Sequence, residues 1–123
     1  MRSNSLRWIV EGWLMVGGLL GCQKEENTAL PAITSTEAFF DEAVTPIFFQ
    51  NCNYCHSTEQ ATAGIVLDTY ADARAVALNG QLLGAVNHVS GYTPMPLNAP
   101  QLPDEEIATI RRWVEAVLAD ADN

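Results

Sequence analysis

Positive charge is scarce in this sequence of 123 residues. Lysine and arginine together number 6, whereas aspartate and glutamate number 15, and the formal net charge is -9. A surface that binds nucleic acid needs clustered Lys and Arg side chains to neutralise phosphates. Six cations cannot build such a surface, so we expect no nucleic-acid partner.

A long hydrophobic run is also missing. An apolar stretch runs from Trp13 to Leu20, but a helix that spans a bilayer needs about 20 apolar residues. The overall composition, with 48% hydrophobic and 17% charged residues, is ordinary for a globular protein. Disordered, collagen-like and coiled-coil classes are therefore excluded, and the length allows one small domain.

Residues 1–21 have the pattern of a bacterial lipoprotein signal peptide. Arg2 and Arg7 precede the short apolar run, and Leu19-Leu20-Gly21-Cys22 resembles a lipobox, in which the peptidase cuts before the cysteine. We therefore expect a lipid on Cys22 that anchors the chain to a membrane. The alternative is a plain secretory signal followed by an incidental cysteine.

The expected layout places a linker over 22–35, a domain over 36–119 and a short tail over 120–123. Residues 23–26, directly after Cys22, resemble a signal that sends some lipoproteins to the outer face, although they also suit a solvated linker. The expected location is the cell envelope of a Gram-negative bacterium, facing the periplasm or the outer surface.

Three helices are predicted, over about 36–50, 70–79 and 103–119. Each range has apolar side chains at spacings of three and four residues or a helix-start signal. Thr34 and Glu37 have the spacing of a capping box at the first helix. No convincing strand alternation is present, so the predicted fold class is all-α.

Further local signals refine these helices. Pro46 should kink or restart the first helix, because proline lacks a backbone N–H. Thr69 and Asp72 have capping-box spacing at the start of the second helix, and Gly80 is a stop signal at its end. Pro103 stands where a Ser or Thr cap is usual before the last helix.

The chemistry is concentrated in Cys52-Asn53-Tyr54-Cys55-His56. The pattern C-x-x-C-H is the attachment signature of c-type haem. Two thiols at this spacing lie on one turn and can both reach the haem vinyl groups, and the histidine that follows can bind the iron. We therefore predict one covalently attached haem c, which also supplies apolar bulk that three short helices lack.

Three other uses of these cysteines stay open. A thioredoxin-like redox pair would need a βαβ context, which is not visible. A zinc site needs four ligands, and only Cys52, Cys55, His56 and His88 are available. A structural disulfide between Cys52 and Cys55 would close a very short loop and stabilise little.

A second iron ligand is predicted at Met95. Of the three methionines, only Met95 lies after Cys22, and Pro94 and Pro96 flank it. A methionine thioether keeps haem iron six-coordinate and raises its potential. The rival ligand is His88, and a methionine that only fills the core is the bland alternative.

Taken together, these features resemble the small monohaem class I cytochromes c, in particular the lipoprotein-anchored bacterial type. The likeness covers about residues 36–119. Three stretches carry it: 44–56, 64–70, and 91–96 followed by 102–113. The resemblance implies an all-α fold of three or more short helices packed around one haem.

By this resemblance Cys52 and Cys55 carry the two thioethers, His56 is the proximal ligand and Met95 the distal ligand. The first and last helices would cross near the haem, with Phe48 and Trp113 as packing residues. For both aromatic residues, an ordinary core role is the simpler interpretation.

One departure from the family concerns the residue that orients the proximal histidine. Many class I cytochromes have a proline after the haem motif, and no proline occurs here between His56 and Pro94. The hydrogen-bond partner of His56 therefore cannot be named from the sequence.

The expected function is one-electron transfer by haem iron that cycles between Fe(II) and Fe(III). The chain is not expected to be an enzyme, although it could be a subunit of a larger oxidoreductase. Partners with a basic docking patch suit its acidic surface. The alternatives are a haem enzyme subunit or gas or redox sensor with an open or bis-histidine site, and a non-haem lipoprotein with a structural or zinc-binding cysteine pair.

Overall fold

The computed structural model describes residues 32–123. The predicted signal peptide over 1–21, the lipidated Cys22 and most of the linker therefore lie outside the described residues. The described part is mostly helical and contains no strand. An isolated β-bridge joins His56 and Ala61. The predicted all-α class is confirmed at this coarse level.

The first predicted helix is a continuous helical run with a change of winding. It consists of α1 (Thr36–Phe39), a π-helical segment (Phe40–Val44) and α2 (Thr45–Asn51). Pro46 lies in the first turn of α2, where its missing N–H is tolerated. The interruption expected at this proline is therefore a wider π turn followed by a new α-helical start.

The cap of α1 is Ser35, and the prediction of Thr34 was wrong. The Ser35 hydroxyl accepts a hydrogen bond of 3.0 Å from the backbone N–H three residues later. Contacts of Thr36 with distant elements hold the start of α1 at this position. The Thr36 hydroxyl bonds to the Tyr70 hydroxyl at 2.6 Å, and the Thr36 carbonyl accepts from Trp113 Nε1 at 3.0 Å.

The middle of the chain forms two helices where one was predicted. Helix α3 covers Tyr70–Leu78, and α4 covers Gln81–Val86. Thr69 caps α3 as expected, because its hydroxyl accepts from the N–H three residues later. Gly80 separates the two helices with a left-handed backbone, φ 79°, which glycine adopts without a steric penalty.

The last helix, α5, covers Asp104–Ala121. It begins one residue later and ends two residues beyond the predicted range of 103–119. Pro103 precedes it without a side-chain cap, and acidic side chains fill the first turn, where the helix dipole favours negative charge. No helix among residues 32–123 combines the length and apolar character needed to cross a bilayer.

The core joins the first helical run, α3 and α5 through aromatic rings. Phe48 and Trp113 are both 0% exposed. Their ring centroids lie 6.4 Å apart, and the Phe40 ring centroid lies 5.7 Å from that of Tyr70 and 5.1 Å from that of Trp113. The expected core role of Phe48 and Trp113 is confirmed. This cluster fixes the end of α2, from which the C-x-x-C-H segment follows.

Candidate functional site

An apolar cavity of about 560 Å³ lies between the end of α2, the loop after it, α3, α4 and the loop over 91–97. This volume suits a cofactor or another ligand of similar size. None of the described Asp, Glu, Lys or Arg residues lines it. Its apolar walls include Ile65, Leu67, Val76, Leu82, Ala85 and Val86.

The four residues predicted to hold the haem all line this cavity. Cys52, Cys55 and His56 come from the turn after α2, and Met95 comes from the loop before α5. Folding thus brings together two segments that are far apart in sequence. The rival ligand His88 is not among the residues that line the cavity.

The C-x-x-C-H segment forms a tight turn with several backbone anchors. The N–H groups of Cys55 and His56 donate to the Cys52 carbonyl at 3.1 and 3.0 Å. The Leu67 N–H donates to the His56 carbonyl at 2.8 Å, and the Thr62 N–H donates to the Cys55 carbonyl at 3.0 Å. These bonds hold both cysteines and the histidine against the cavity wall.

The two cysteines are free thiols in different environments. Cys52 is half-buried, and burial raises its thiol pKa to about 12, with the nearby Glu106 carboxylate adding to the rise. The Asn51 side-chain amide donates to Glu106 at 3.3 Å and helps to hold the carboxylate there. Cys55 is exposed. Cys52 is therefore a neutral thiol at physiological pH.

His56 is buried, with 7% of its surface exposed. Its Nδ1 atom is also buried and has no hydrogen-bond partner among the described residues. Buried polar atoms are normally paired. The sequence offered no proline to orient this imidazole, and the structure supplies no other protein partner for Nδ1 within residues 32–123.

The loop that carries Met95 is attached to α4. The Met95 N–H donates to the Ala85 carbonyl at 3.1 Å, and the Met95 carbonyl lies 3.0 Å from His88 Nε2. Met95 itself is half-buried. The rival ligand His88 thus contacts the backbone of Met95. It is not among the residues that line the cavity.

Tyr92 forms another part of the cavity wall and packs on Gly84 of α4. A Cβ atom built on Gly84 would lie 2.6 Å from three atoms of the Tyr92 ring. Only glycine allows this close approach. The sequence patterns predicted neither α4 nor this contact. Gly80 directly before α4 and Gly84 within it are the signal that could have indicated a short helix with room for a neighbouring ring.

The positions of Cys52 and Cys55 can be compared with the zinc site and the disulfide that the sequence left open. Within residues 32–123, no three His, Cys, Asp or Glu side chains are placed to hold a metal ion together. Cys52 and Cys55 are not joined in a disulfide. What the described residues offer is two thiols, one imidazole and one thioether around one apolar cavity.

Comparisons with protein-family models, with curated proteins and with solved structures find no match for this chain. The site therefore rests on the chemistry and geometry of its own residues.

Proposed function

We propose that this chain is a small c-type cytochrome that carries one electron at a time between partner proteins. The observation that carries the proposal is the convergence of Cys52, Cys55, His56 and Met95 on one apolar cavity. The first three form the haem-attachment signature, and the fourth is a ligand that haem electron carriers commonly use.

The donor set fits a covalently bound haem. In the proposal, Cys52 and Cys55 hold the group through thioether bonds, while His56 and Met95 are its axial ligands. A haem iron takes only two ligands from side chains, so a cluster of three or more is not required. The free thiols are available for attachment, and the buried His56 gives an imidazole shielded from water.

When bound, haem supplies one-electron chemistry by cycling its iron between Fe(II) and Fe(III). The chain's own contribution is to position the group and control its surroundings. Apolar walls and a thioether ligand would each favour the reduced iron of a bound haem and so raise its reduction potential. Among residues 32–123, Nδ1 of His56 has no hydrogen-bond partner of the kind that usually strengthens such a ligand.

The proposed partners are redox proteins with a basic docking patch. Within residues 32–123 the only Lys or Arg residues are Arg74, Arg111 and Arg112. Arg111 donates to the Asn87 side chain at 3.0 Å, and Arg112 lies over the Phe39 ring. The remaining surface charge is acidic and would attract a basic partner. A lipid on Cys22 would keep the carrier at a membrane of the cell envelope.

Covalent haem attachment tests the proposal. The chain is produced in cells that contain the cytochrome c maturation machinery, denatured, and stained for haem after electrophoresis. We expect the native chain to keep its haem and the double variant Cys52→Ser/Cys55→Ser to lose it. The Cys22→Ser variant is the matched control, because it removes a third cysteine but should retain haem. A native chain without haem would show that the proposal is wrong.

A further inference from the structure

The end of α4 has an unusual residue in its left-handed position. The Val89 N–H donates to the Gly84 carbonyl at 3.0 Å, and the His88 N–H donates to the Ala85 carbonyl at 3.2 Å. This pair of bonds is a Schellman ending, with His88 at the left-handed position, φ 53°. Glycine is the usual residue there, because other side chains meet a steric penalty. The His88 side chain makes a contact that can offset this penalty.

That contact is the backbone of Met95. His88 Nε2 lies 3.0 Å from the Met95 carbonyl oxygen. A carbonyl oxygen can only accept, so Nε2 carries the proton and donates. The Met95 N–H donates to the Ala85 carbonyl at 3.1 Å. The Met95 N–H is therefore bonded to the last turn of α4, and the Met95 carbonyl is bonded to His88, two residues after that helix ends. Ala85 also lines the cavity.

We propose that His88 is a positioning residue that holds Met95 at the cavity wall. The two hydrogen bonds fix the Met95 backbone on both sides of its Cα atom, so the thioether needs to order only its own side-chain torsions to reach one place in the cavity. The role of the thioether as an iron ligand rests on the proposed function. The attachment of Met95 to the end of α4 by His88 does not depend on the proposed function.

Variants at His88 can separate this role from the backbone conformation. Glycine and asparagine both tolerate the left-handed backbone, so His88→Gly and His88→Asn keep the end of α4 while removing a donor that reaches Met95. His88→Gln supplies a side-chain N–H of similar reach and tests for rescue. Asn98→Gly is the matched control, because exposed Asn98 also has a left-handed backbone, φ 58°.

The first readout is hydrogen exchange at the Met95 amide, measured by NMR on the full chain produced with the maturation machinery. The variants His88→Gly and His88→Asn lose the hydrogen bond to the Met95 carbonyl, whereas the bond from the Met95 N–H to Ala85 remains. Loss of that one neutral bond should loosen the Met95 backbone and speed exchange of its amide about fivefold. His88→Gln should restore protection, and Asn98→Gly should leave it unchanged. Unchanged protection in the two loss variants would overturn the inference.

The second readout is binding of added imidazole to the ferric protein. If His88 holds Met95, imidazole should displace the thioether and bind about fivefold more tightly to His88→Gly and His88→Asn than to the native chain. Equal affinities would overturn the inference. Should the native chain lack a methionine-dependent iron spectrum, the ligand role of Met95 would fail, while exchange at its amide would still decide the role of His88.

Discussion

The contact between Gly84 and Tyr92 allows a sharp prediction about the cavity wall. A Cβ atom on residue 84 would lie 2.6 Å from the Cγ, Cδ1 and Cδ2 atoms of the ring, whereas carbon atoms in contact prefer about 3.5–4.0 Å. Gly84→Ala therefore requires the ring to move by about 1 Å. The clash involves the base of the ring, so a change at the tip of the side chain cannot relieve it.

The expected size follows from two opposing effects. Overpacking of this kind typically costs about 1–3 kcal/mol. Replacing glycine by alanine inside a helix stabilises by up to about 1 kcal/mol. We therefore expect Gly84→Ala to lower the free energy of unfolding by about 1–2 kcal/mol in the native background. In a Tyr92→Ala background, where the ring is absent, the same substitution should be neutral or stabilising.

The assay is a double-mutant cycle measured by urea unfolding and followed by far-UV circular dichroism. The coupling between positions 84 and 92 should be about 2 kcal/mol. An equal effect of Gly84→Ala with and without the Tyr92 ring would refute this prediction. Displacement of this ring should also change the absorption spectrum of a bound haem, because Tyr92 lines the cavity.

Three other predictions concern groups at and around the site. In the folded chain without cofactor, iodoacetamide at pH 8 should modify Cys55 well before Cys52, because a pKa of about 12 leaves about one Cys52 thiol in ten thousand ionised. Equal rates in a chain shown to be helical would contradict this prediction. Unfolding in urea should abolish the difference between the two rates. The Thr58 N–H, 3.0 Å from both Asp68 carboxylate oxygens, lowers the pKa of Asp68 below 3.8. The stability from this contact is present above the ordinary pKa of Asp and is lost as pH falls through the folded-state pKa of Asp68. The variant Asp68→Asn should therefore lose less stability than the native chain on acidification below about pH 4. Parallel profiles of stability against pH for the two chains would contradict this prediction. Electron exchange with a basic partner should slow as ionic strength rises, and a rate independent of salt would count against electrostatic docking.

The helices that could be predicted from sequence are those with strong local signals. The apolar spacing and the acidic first turn of α5 predicted it to within two residues at each end. Thr69 and Gly80 marked the ends of α3 correctly. Helix α4 was missed because it is short and contains Gly84, whose absence of a side chain weakens both helix propensity and periodicity.

Long-range contacts decided what the local signals could not. Thr34 and Ser35 are neighbouring hydroxyl residues, and either could cap α1 by local rules. The bonds of Thr36 with Tyr70 and Trp113 select Ser35. These partners come from α3 and α5, so no local pattern around residue 35 reveals them.

The candidate site was predictable in its residues but not in its supports. The C-x-x-C-H spacing and the single methionine after Cys22 predicted four site residues, and all four line the cavity. The contact of His88 with the Met95 carbonyl depends on a left-handed backbone at the end of a helix that the sequence did not predict. The sequence predicted His88 as a rival ligand, and in the structure its ring contacts the backbone of Met95.

The proposed ligation of a haem iron by Met95 is tested by absorption spectra of the oxidised and reduced protein, produced with the maturation machinery. Native chain, Met95→Ala and a control, Leu97→Ala, which alters an exposed residue of the same cavity, are compared. We predict a low-spin spectrum with a methionine-to-iron charge-transfer band that Met95→Ala loses and Leu97→Ala keeps. A haem spectrum unaffected by Met95→Ala would contradict ligation by Met95, and a colourless native protein would contradict the proposed function as a whole.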